Sequence, residues 1–302
     1  MRNTFVNTII EEASRNQNIY IITPDMGFSV LEKFGDLFPD RLINIGIAEQ
    51  NAVSVAAGLA LSGNIVYVYS IIPFVTMRCF EQVRVDVAYM NTNVRLVGVG
   101  AGLSYGPAGA THHSIEDIAI MRALPNMTVC CPGDPIEVRE IVKQSVEYKG
   151  PMYIRLGKNG EPKIHEEQTK IPIGRAIKVL EGEDLTIFTT SNMLEDGVKI
   201  TRELLKLGKR CSLMSMPTIK PIDSEAVLSA VNRGKPIVTL EEHSIIGGLG
   251  SAVAEIIAES GRTISFKRIG IQDEYSHYVG SHSYLRDKLI YNNNFLEGIL
   301  SL

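Results

Sequence analysis

The sequence has few cysteines, and none of them are spaced as a metal or redox pair. The four are Cys79, Cys130, Cys131 and Cys211, and they form no Cys-x-x-Cys motif. The adjacent pair lies in the apolar run 127–131, which predicts a buried strand. Thiols placed in this way are typical of a reducing compartment, so we expect a cytoplasmic protein.

Long apolar runs and a strong net charge are also missing. No run is long enough to span a bilayer, and the amino terminus reaches acidic residues before any signal-like apolar segment, so we expect a soluble protein. The net charge of −4 argues against nucleic acid or an anionic membrane as a partner. The 302 residues and the 45% hydrophobic content are sufficient for two domains with cores.

The sequence also lacks a dinucleotide-binding motif. The loop from Gly98 to Gly106 follows a predicted strand and is rich in glycine, but its glycines do not have the Gly-x-Gly-x-x-Gly spacing. The loop also continues into Pro107 instead of a helix. The sequence therefore gives no support for a nucleotide cofactor bound in the usual way.

The chain does contain short apolar, β-rich runs that alternate with helical segments. This alternation predicts an α/β protein with two open, mostly parallel sheets covered by helices on both faces. The segment around 159–173 is polar and has no period, which indicates a linker. We therefore predict a first domain over 1–158, a linker over 159–173 and a second domain over 174–302.

Glu49 is the first candidate site residue. It lies where a short apolar run turns into an alanine-rich helix, and ligands of open α/β sheets bind at the carboxyl ends of strands. The helix dipole at that position favours an ionised carboxylate. A buried core helix with a capping acid is the alternative interpretation of the same pattern.

His112 and Arg155 are further candidates. His112 and His113 follow the glycine-rich loop, without other ligands at metal spacing, so hydrogen bonding to a polar substrate is favoured over metal binding. Exposed histidines beside a capped helix are the alternative. Arg155 lies inside an apolar strand and requires an anionic partner, which is either a protein carboxylate or a substrate phosphate.

Six segments in order along nearly the whole chain resemble the transketolase family, from the middle of a transketolase to its carboxyl end. They include Gly46-Ile-Ala-Glu-Gln-Asn, Thr111-His-His-Ser-Ile-Glu and Glu241-Glu-His-Ser-Ile-Ile-Gly-Gly-Leu-Gly, and the others are 80–84, 122–129 and 153–156. The resemblance implies a pyrimidine-binding domain for thiamine diphosphate followed by the transketolase C-terminal domain. We expect the second domain to serve association more than chemistry.

The resemblance also implies roles for single residues. Glu49 matches the glutamate that hydrogen-bonds the cofactor's pyrimidine nitrogen N1′. Phe74 or Ile72 matches the side chain that stacks on the pyrimidine. His112 matches the residue that contacts the hydroxyls of the ketose donor, whereas its neighbour His113 has no assigned role.

Further matched positions concern the phosphate of the sugar. Arg155, Arg2 and Ser29, the last in the loop 25–29, match positions that hold a sugar's terminal phosphate.

Ala108 replaces an acidic residue that is common in the family loop, which leaves open which hydroxyl groups of the acceptor sugar are preferred.

One family element is absent. Family members hold the diphosphate through a metal bound by a Gly-Asp-Gly segment and an asparagine farther on. Here Gly35-Asp36 and Gly133-Asp134 lack the third glycine, and the asparagines at 292–294 lie at the chain's end. We therefore expect no metal ligands in this chain, and expect Mg²⁺ and the diphosphate to be bound mainly by a separate N-terminal subunit.

The resulting hypothesis is the C-terminal subunit of a split transketolase that acts on sugar phosphates, as in the pentose phosphate reactions, and that self-associates as a dimer or heterotetramer. Alternatives are the matching half of 1-deoxy-xylulose-5-phosphate synthase or a 2-oxoacid dehydrogenase beta subunit. A non-catalytic assembly partner is the alternative from a different class.

Overall fold

A computed structural model of the chain describes residues 1–291 and 295–302. The asparagines at 292–294, considered above as metal ligands, lie outside the described residues. Within these ranges the chain forms one seven-stranded and one five-stranded sheet.

The strands, numbered in chain order, are β1 (Ile19–Thr23), β2 (Leu42–Asn44), β3 (Ile65–Ile71), β4 (Val94–Val99), β5 (Thr128–Cys130), β6 (Met152–Leu156), β7 (Ile177–Leu180), β8 (Leu185–Thr189), β9 (Cys211–Ser215), β10 (Thr218–Lys220), β11 (Ile237–Ser244) and β12 (Phe266–Ile271).

The α-helices are α1 (Arg2–Arg15), α2 (Glu32–Leu37), α3 (Glu49–Leu61), α4 (Ile72–Thr76), α5 (Phe80–Gln82), α6 (Asp117–Ala123), α7 (Pro135–Glu147), α8 (Leu194–Lys206), α9 (Ser224–Asn232), α10 (Leu249–Glu259), α11 (His282–Leu289) and α12 (Phe295–Leu300). Helix α5 continues as a π-helix over Val83–Tyr89.

The first sheet has the order β10-β5-β6-β4-β3-β1-β2, and every pairing except β10 with β5 is parallel. Successive side chains of its strands point to opposite faces. In β3, Tyr67 and Tyr69 pack under Phe5 of α1, with ring centroids 5.9 and 5.8 Å away. Val66 and Val68 belong to the core on the other face, with Ala52 and Ala56 of α3. Helices thus cover both faces of this sheet, as the alternating pattern predicts.

The second sheet has the order β12-β11-β8-β9-β7, with only β7 antiparallel to its neighbour. Helix α8 buries Leu194, Val198 and Leu204 against it because these residues recur on one face of the helix. Both sheets are therefore open and mostly parallel, and the predicted α/β fold class is confirmed.

Strand β10 crosses between the two halves of the chain. It follows β9 of the second sheet but pairs antiparallel with β5 at the edge of the first sheet, where Thr218 lies opposite Cys130. The boundaries at 158, 159, 173 and 174 stay a prediction. In the described residues, no helix is long and apolar enough to cross a bilayer.

Candidate active site

The site lies at the carboxyl ends of β1, β3 and β4. Strands β1 and β3 are neighbours, and the chain leaves β1 towards β2 but leaves β3 towards β4. Connections that diverge in this way open a crevice where ligands of open α/β sheets bind. Here the crevice contains a cleft of about 130 Å³, lined by Arg2, Met26, Gly27, Phe28, Tyr69, Ser70, Ile71, Val99 and Tyr105.

Glu49 is the first residue of α3, and only 5% of its surface is exposed. Its Oε1 accepts a hydrogen bond of 2.7 Å from Nη1 of Arg78. The two side chains share a second crevice of about 330 Å³ with Ile47, Ala48, Gln50 and Asn51. In the described part of the chain, Arg78 is the one donor to this carboxylate, which leaves Oε2 for a ligand. The helix amino terminus and Arg78 both place positive charge beside this carboxylate.

Phe74 connects this carboxylate to His112. The guanidinium carbon of Arg78 lies 3.9 Å from the centroid of the Phe74 ring. The imidazole of His112 meets the same ring edge-on, with the centroids 5.2 Å apart. Nδ1 of His112 is 3.0 Å from Oγ1 of Thr111, and the centroid of the Tyr105 ring is 6.1 Å from that of the His112 ring. The structure therefore brings Glu49, Phe74 and His112 together, with Arg78 between the first two.

Ile72 does not belong to this surface. It is fully buried in the core at the start of α4, and a Cβ on Gly98 of β4 would lie only 2.6 Å from its Cγ1. A side chain without exposed surface offers no face to a ligand, so the structure does not support the predicted stacking of Ile72 on the cofactor ring. Phe74 is partly exposed, and its ring is the one available at this position.

Arg155 is a structural residue. It is fully buried, and its Nε donates to Oδ2 of Asp117 at 2.8 Å. Its other nitrogens donate to Ser191 Oγ at 3.0 Å and to the carbonyls of Ser114 and Glu242 at 2.9 and 3.1 Å. Burial acts to lower the pKa of Arg155, but the charge of Asp117 outweighs it and raises the pKa. The anionic partner that the sequence requires is therefore the carboxylate of Asp117, and this buried pair does not support the predicted contact between Arg155 and a substrate phosphate.

Arg2 and Ser29 lie differently with respect to the cleft. Arg2 begins α1 and lines the cleft beside Tyr69 and Tyr105, partly exposed. Burial raises the pKa of Tyr69, and the charge of Arg2 acts in the opposite direction. Ser29 is exposed with a φ of 60°, and its backbone N–H donates to Oε1 of Glu32 at 2.6 Å. Its neighbours Gly27 and Phe28 line the cleft, whereas Ser29 does not.

Sequence reasoning missed Lys158. Its Nζ lies 4.4 Å from the centroid of the Tyr105 ring, and Tyr105 lines the cleft together with Arg2. Lys158 follows the carboxyl end of β6, whereas Arg155 lies inside that strand. Since ligands of such sheets bind beyond the strand ends, its place after the strand was the available signal. Arg78 was missed as well, although it follows Phe74 by four residues.

His113 is buried, whereas its neighbour His112 is partly exposed. His113 is 4% exposed, and neither ring nitrogen has a hydrogen-bond partner among the described residues. Burial lowers the pKa of His113, while the Gly106 carbonyl and the charge of Glu242 oppose that shift. The described residues contain no cluster of three or more histidine, cysteine or acidic side chains that could hold a metal ion.

Both halves of the chain match known protein families. Residues 1–162 match the family described as "Transketolase, pyrimidine binding domain", and residues 174–286 match "Transketolase, C-terminal domain". The chain therefore belongs to the transketolase family, as its sequence motifs indicate.

Among its relatives are separately encoded parts of such enzymes. An apulose-4-phosphate transketolase subunit of Actinobacillus succinogenes is 42% identical over 236 residues, covering 78% of this chain and 76% of the relative. The "Putative transketolase C-terminal section" of Methanocaldococcus jannaschii is 39% identical over 278 residues, covering 91% and 87%. A solved "Split gene transketolase, inactive beta4 tetramer" is 34% identical and covers 99% and 96%, with a TM-score of 0.89.

Proposed function

We propose that this chain is the C-terminal subunit of a two-polypeptide, thiamine-diphosphate-dependent transketolase. The reaction is transfer of a two-carbon ketol unit from a ketose to an aldose. The observation that carries the proposal is the buried carboxylate of Glu49 at the start of α3, beside the partly exposed ring of Phe74. Relatives of nearly the same length that are named as transketolase subunits or sections support it.

The residues fit the pyrimidine end of the cofactor. A flat cationic group, the guanidinium of Arg78, already lies over the Phe74 ring while it donates to Glu49. A planar nitrogen heterocycle needs the same two contacts, a ring face and a carboxylate. Glu49 would share a proton at the pyrimidine nitrogen N1′, and Phe74 would support the ring. When bound, the cofactor supplies temporary storage of an electron pair while a carbon–carbon bond of the ketose breaks.

The remaining part of the cofactor would be held elsewhere. We assign the diphosphate and its Mg²⁺ to an N-terminal partner subunit, and expect self-association to a dimer or heterotetramer in the cytoplasm. The sequence lacks the Gly-Asp-Gly segment, and the described residues show no cluster suited to a metal ion. The site on this chain is then complete only in the assembled enzyme.

The substrate would lie between His112 and the cleft lined by Arg2. We assign contact with the ketose hydroxyls to His112, which is partly exposed beside Phe74. Arg2 and Lys158 replace Arg155 as the cations for a terminal phosphate, because both lie beside Tyr105 and neither is fully buried. Two cations beside Tyr105, of which Arg2 lines the cleft, favour a phosphorylated sugar over a neutral lipoyl group. Ser29 stays a predicted contact through the adjoining loop.

The test is ketol transfer by this chain alone, by an N-terminal subunit alone and by the mixture, with thiamine diphosphate and Mg²⁺. We expect activity only in the mixture, and a loss of about 10²- to 10⁴-fold in Glu49→Gln, since the amide cannot share the proton. Glu203→Gln on the exposed side of α8 is the matched control. A mixture that binds the cofactor and retains full activity in Glu49→Gln contradicts the proposal.

A further inference from the structure

The loop that carries His112 is held by the second half of the chain. This His112 loop, residues 100–114, connects β4 to the segment before α6 and is closed at its base by a hydrogen bond of 2.8 Å from Ser114 N to the Gly102 carbonyl. Next to this closure, the backbone N–H of Leu103 donates to Oε1 of Glu242 at 2.8 Å. Glu242 lies on β11 of the second sheet.

The contact requires close approach of the two chain segments. Gly102 has a φ of +60°, and a Cβ at this position would lie 2.4 Å from Cγ of Glu242. Only glycine fits here, because it permits both the left-handed backbone and the passing side chain. The side chain of Glu242 is therefore packed directly against the base of the His112 loop.

Glu242 is itself fixed from several sides. It is 1% exposed, and its carboxylate accepts from Nε of Arg286 at 2.9 Å, from Nδ2 of Asn192 at 2.6 Å and from Nε2 of His282 at 2.6 Å. Arg286 is held in turn by Asp196 at 2.7 Å. Burial acts to raise the pKa of Glu242, but the charges of Arg286 and His282 outweigh it and lower the pKa to about 2.

Two further contacts anchor the same loop. Nδ2 of Asn192, which already bonds Glu242, lies 3.3 Å from the Ala101 carbonyl. Nη2 of Arg155 donates both to the Ser114 carbonyl and to the carbonyl of Glu242. The loop is thus held at its start by the second half of the chain and at its end by Arg155. Residues 104–113, which include His112, extend from this fixed base.

We propose that Glu242 is a positioning residue for His112: by holding the base of the His112 loop, it sets the place at which His112 meets the ketose donor. The second domain then determines donor recognition in addition to any role in association. This inference rests on the proposed function of His112, but the anchor itself is independent of it.

Hydrogen exchange tests the anchor on the chain alone. The carboxylate of Glu242 accepts five hydrogen bonds, and both of its oxygens are acceptors. In Glu242→Gln, either orientation of the amide therefore places its NH₂ group against a donor. Glu242→Asp keeps the charge but reaches about 1.5 Å less far. We expect exchange of peptides covering 101–113 to accelerate about 10-fold in both variants. Glu241→Gln is the matched control, because Glu241 is equally buried but bonds Leu249 and Gly250 in α10.

Kinetics of the assembled enzyme test the effect on His112. We expect Glu242→Gln and Glu242→Asp to lower kcat/KM for the ketose by about 10- to 100-fold, with cofactor affinity changed less than about threefold. In a His112→Ala background the further loss from Glu242→Gln should be less than about threefold, because the two residues act on one contact. Glu241→Gln should retain wild-type kinetics.

Several results would overturn the inference. The first is an unchanged rate of hydrogen exchange for residues 101–113 in the Glu242 variants. The second is full activity in Glu242→Asp, and the third is losses in kcat/KM that multiply when His112→Ala and Glu242→Gln are combined. If Glu242→Gln does not fold, Glu242→Asp decides. If the wild-type mixture shows no ketol transfer, the proposed function fails, and the exchange experiment alone decides whether Glu242 sets the position of the loop.

Discussion

The ring of Phe74 meets the edge of the His112 imidazole, with centroids 5.2 Å apart and planes inclined by 69°. This pair joins the side chain proposed to support the cofactor and the side chain proposed to contact the donor. An edge-on contact of this kind restricts both rings. A change at Phe74 should therefore affect cofactor binding and donor binding together.

Phe74→Leu should weaken thiamine diphosphate binding by the assembled protein about 10-fold, because an aromatic contact contributes roughly 0.5–1.5 kcal/mol beyond its buried area. The KM for the ketose should rise as well, since His112 loses its neighbour. Ile72→Val is the control, and should cost about 1 kcal/mol of stability without a specific effect on the cofactor. Calorimetric titration measures the affinity for the cofactor, and initial rates measure the KM for the ketose. Equal cofactor affinity in Phe74→Leu and wild type would exclude Phe74 as the stacking residue.

Lys158→Met should raise the KM for a phosphorylated ketose about 10-fold, because a charge-assisted hydrogen bond is worth about 1.5–3 kcal/mol. The KM for the same sugar without its phosphate should stay within about twofold of wild type. Lys163→Met removes an exposed lysine that pairs with Glu167, and serves as the control. A similar rise for both sugars would mean that Lys158 does not contact the phosphate.

Arg155→Met should lower the free energy of unfolding by about 3–5 kcal/mol, because it leaves the buried charge of Asp117 without its partner. A phosphate-binding residue would instead change KM with little effect on stability. Urea denaturation of the chain alone measures the free energy of unfolding. The control is Arg84→Met, which breaks an exposed pair with Glu81 and should change this free energy by less than about 0.5 kcal/mol. A stable Arg155→Met variant with a raised KM would restore the substrate role.

Glu241→Gln should change the pH dependence of stability. Burial raises the pKa of Glu241 to about 7 from a usual value of 4.5, although hydrogen bonds from Gly250 and Leu249 oppose the shift. The folded state therefore holds a proton that the unfolded state releases between about pH 4.5 and 7. Its stabilising contribution is complete below pH 4.5 and is lost as the pH rises through 7, by on the order of 3 kcal/mol.

Urea midpoints of wild type and Glu241→Gln from pH 4.5 to 8 measure this effect as a difference. Burial lowers the pKa of His243 and gives an opposite slope, but His243 is present in both proteins and cancels to first order. Wild type should lose stability relative to the variant across this interval. Parallel curves would show that Glu241 is already ionised in the folded state at low pH.

Local patterns in the sequence were sufficient for the fold class and for part of the site. The strand-to-helix junction at Glu49 is a local signal, whereas Phe74 was indicated only by the family resemblance. Arg155 illustrates the limit, because its partner Asp117 lies 38 residues earlier in the chain. The sequence alone shows that Arg155 needs an anionic partner, but it does not show which group provides it.

Contacts between distant segments could not be predicted. The bond from Leu103 to Glu242 joins residues 139 positions apart, and no periodicity or motif marks it. The expectation that the second domain serves association therefore missed its contact with the His112 loop. Lys158 was a different kind of omission, since its position after β6 was visible and only the more conspicuous buried arginine was chosen.

The antiparallel pairing of β10 with β5 has a consequence for how the chain can be divided. Ribosomal synthesis must proceed beyond Lys220 before the first sheet gains its edge strand. A fragment that stops within 159–173 would leave the outer backbone groups of β5 exposed and open to pairing with other chains. Gene fusions and recombinant fragments should therefore keep residues 1–220 together.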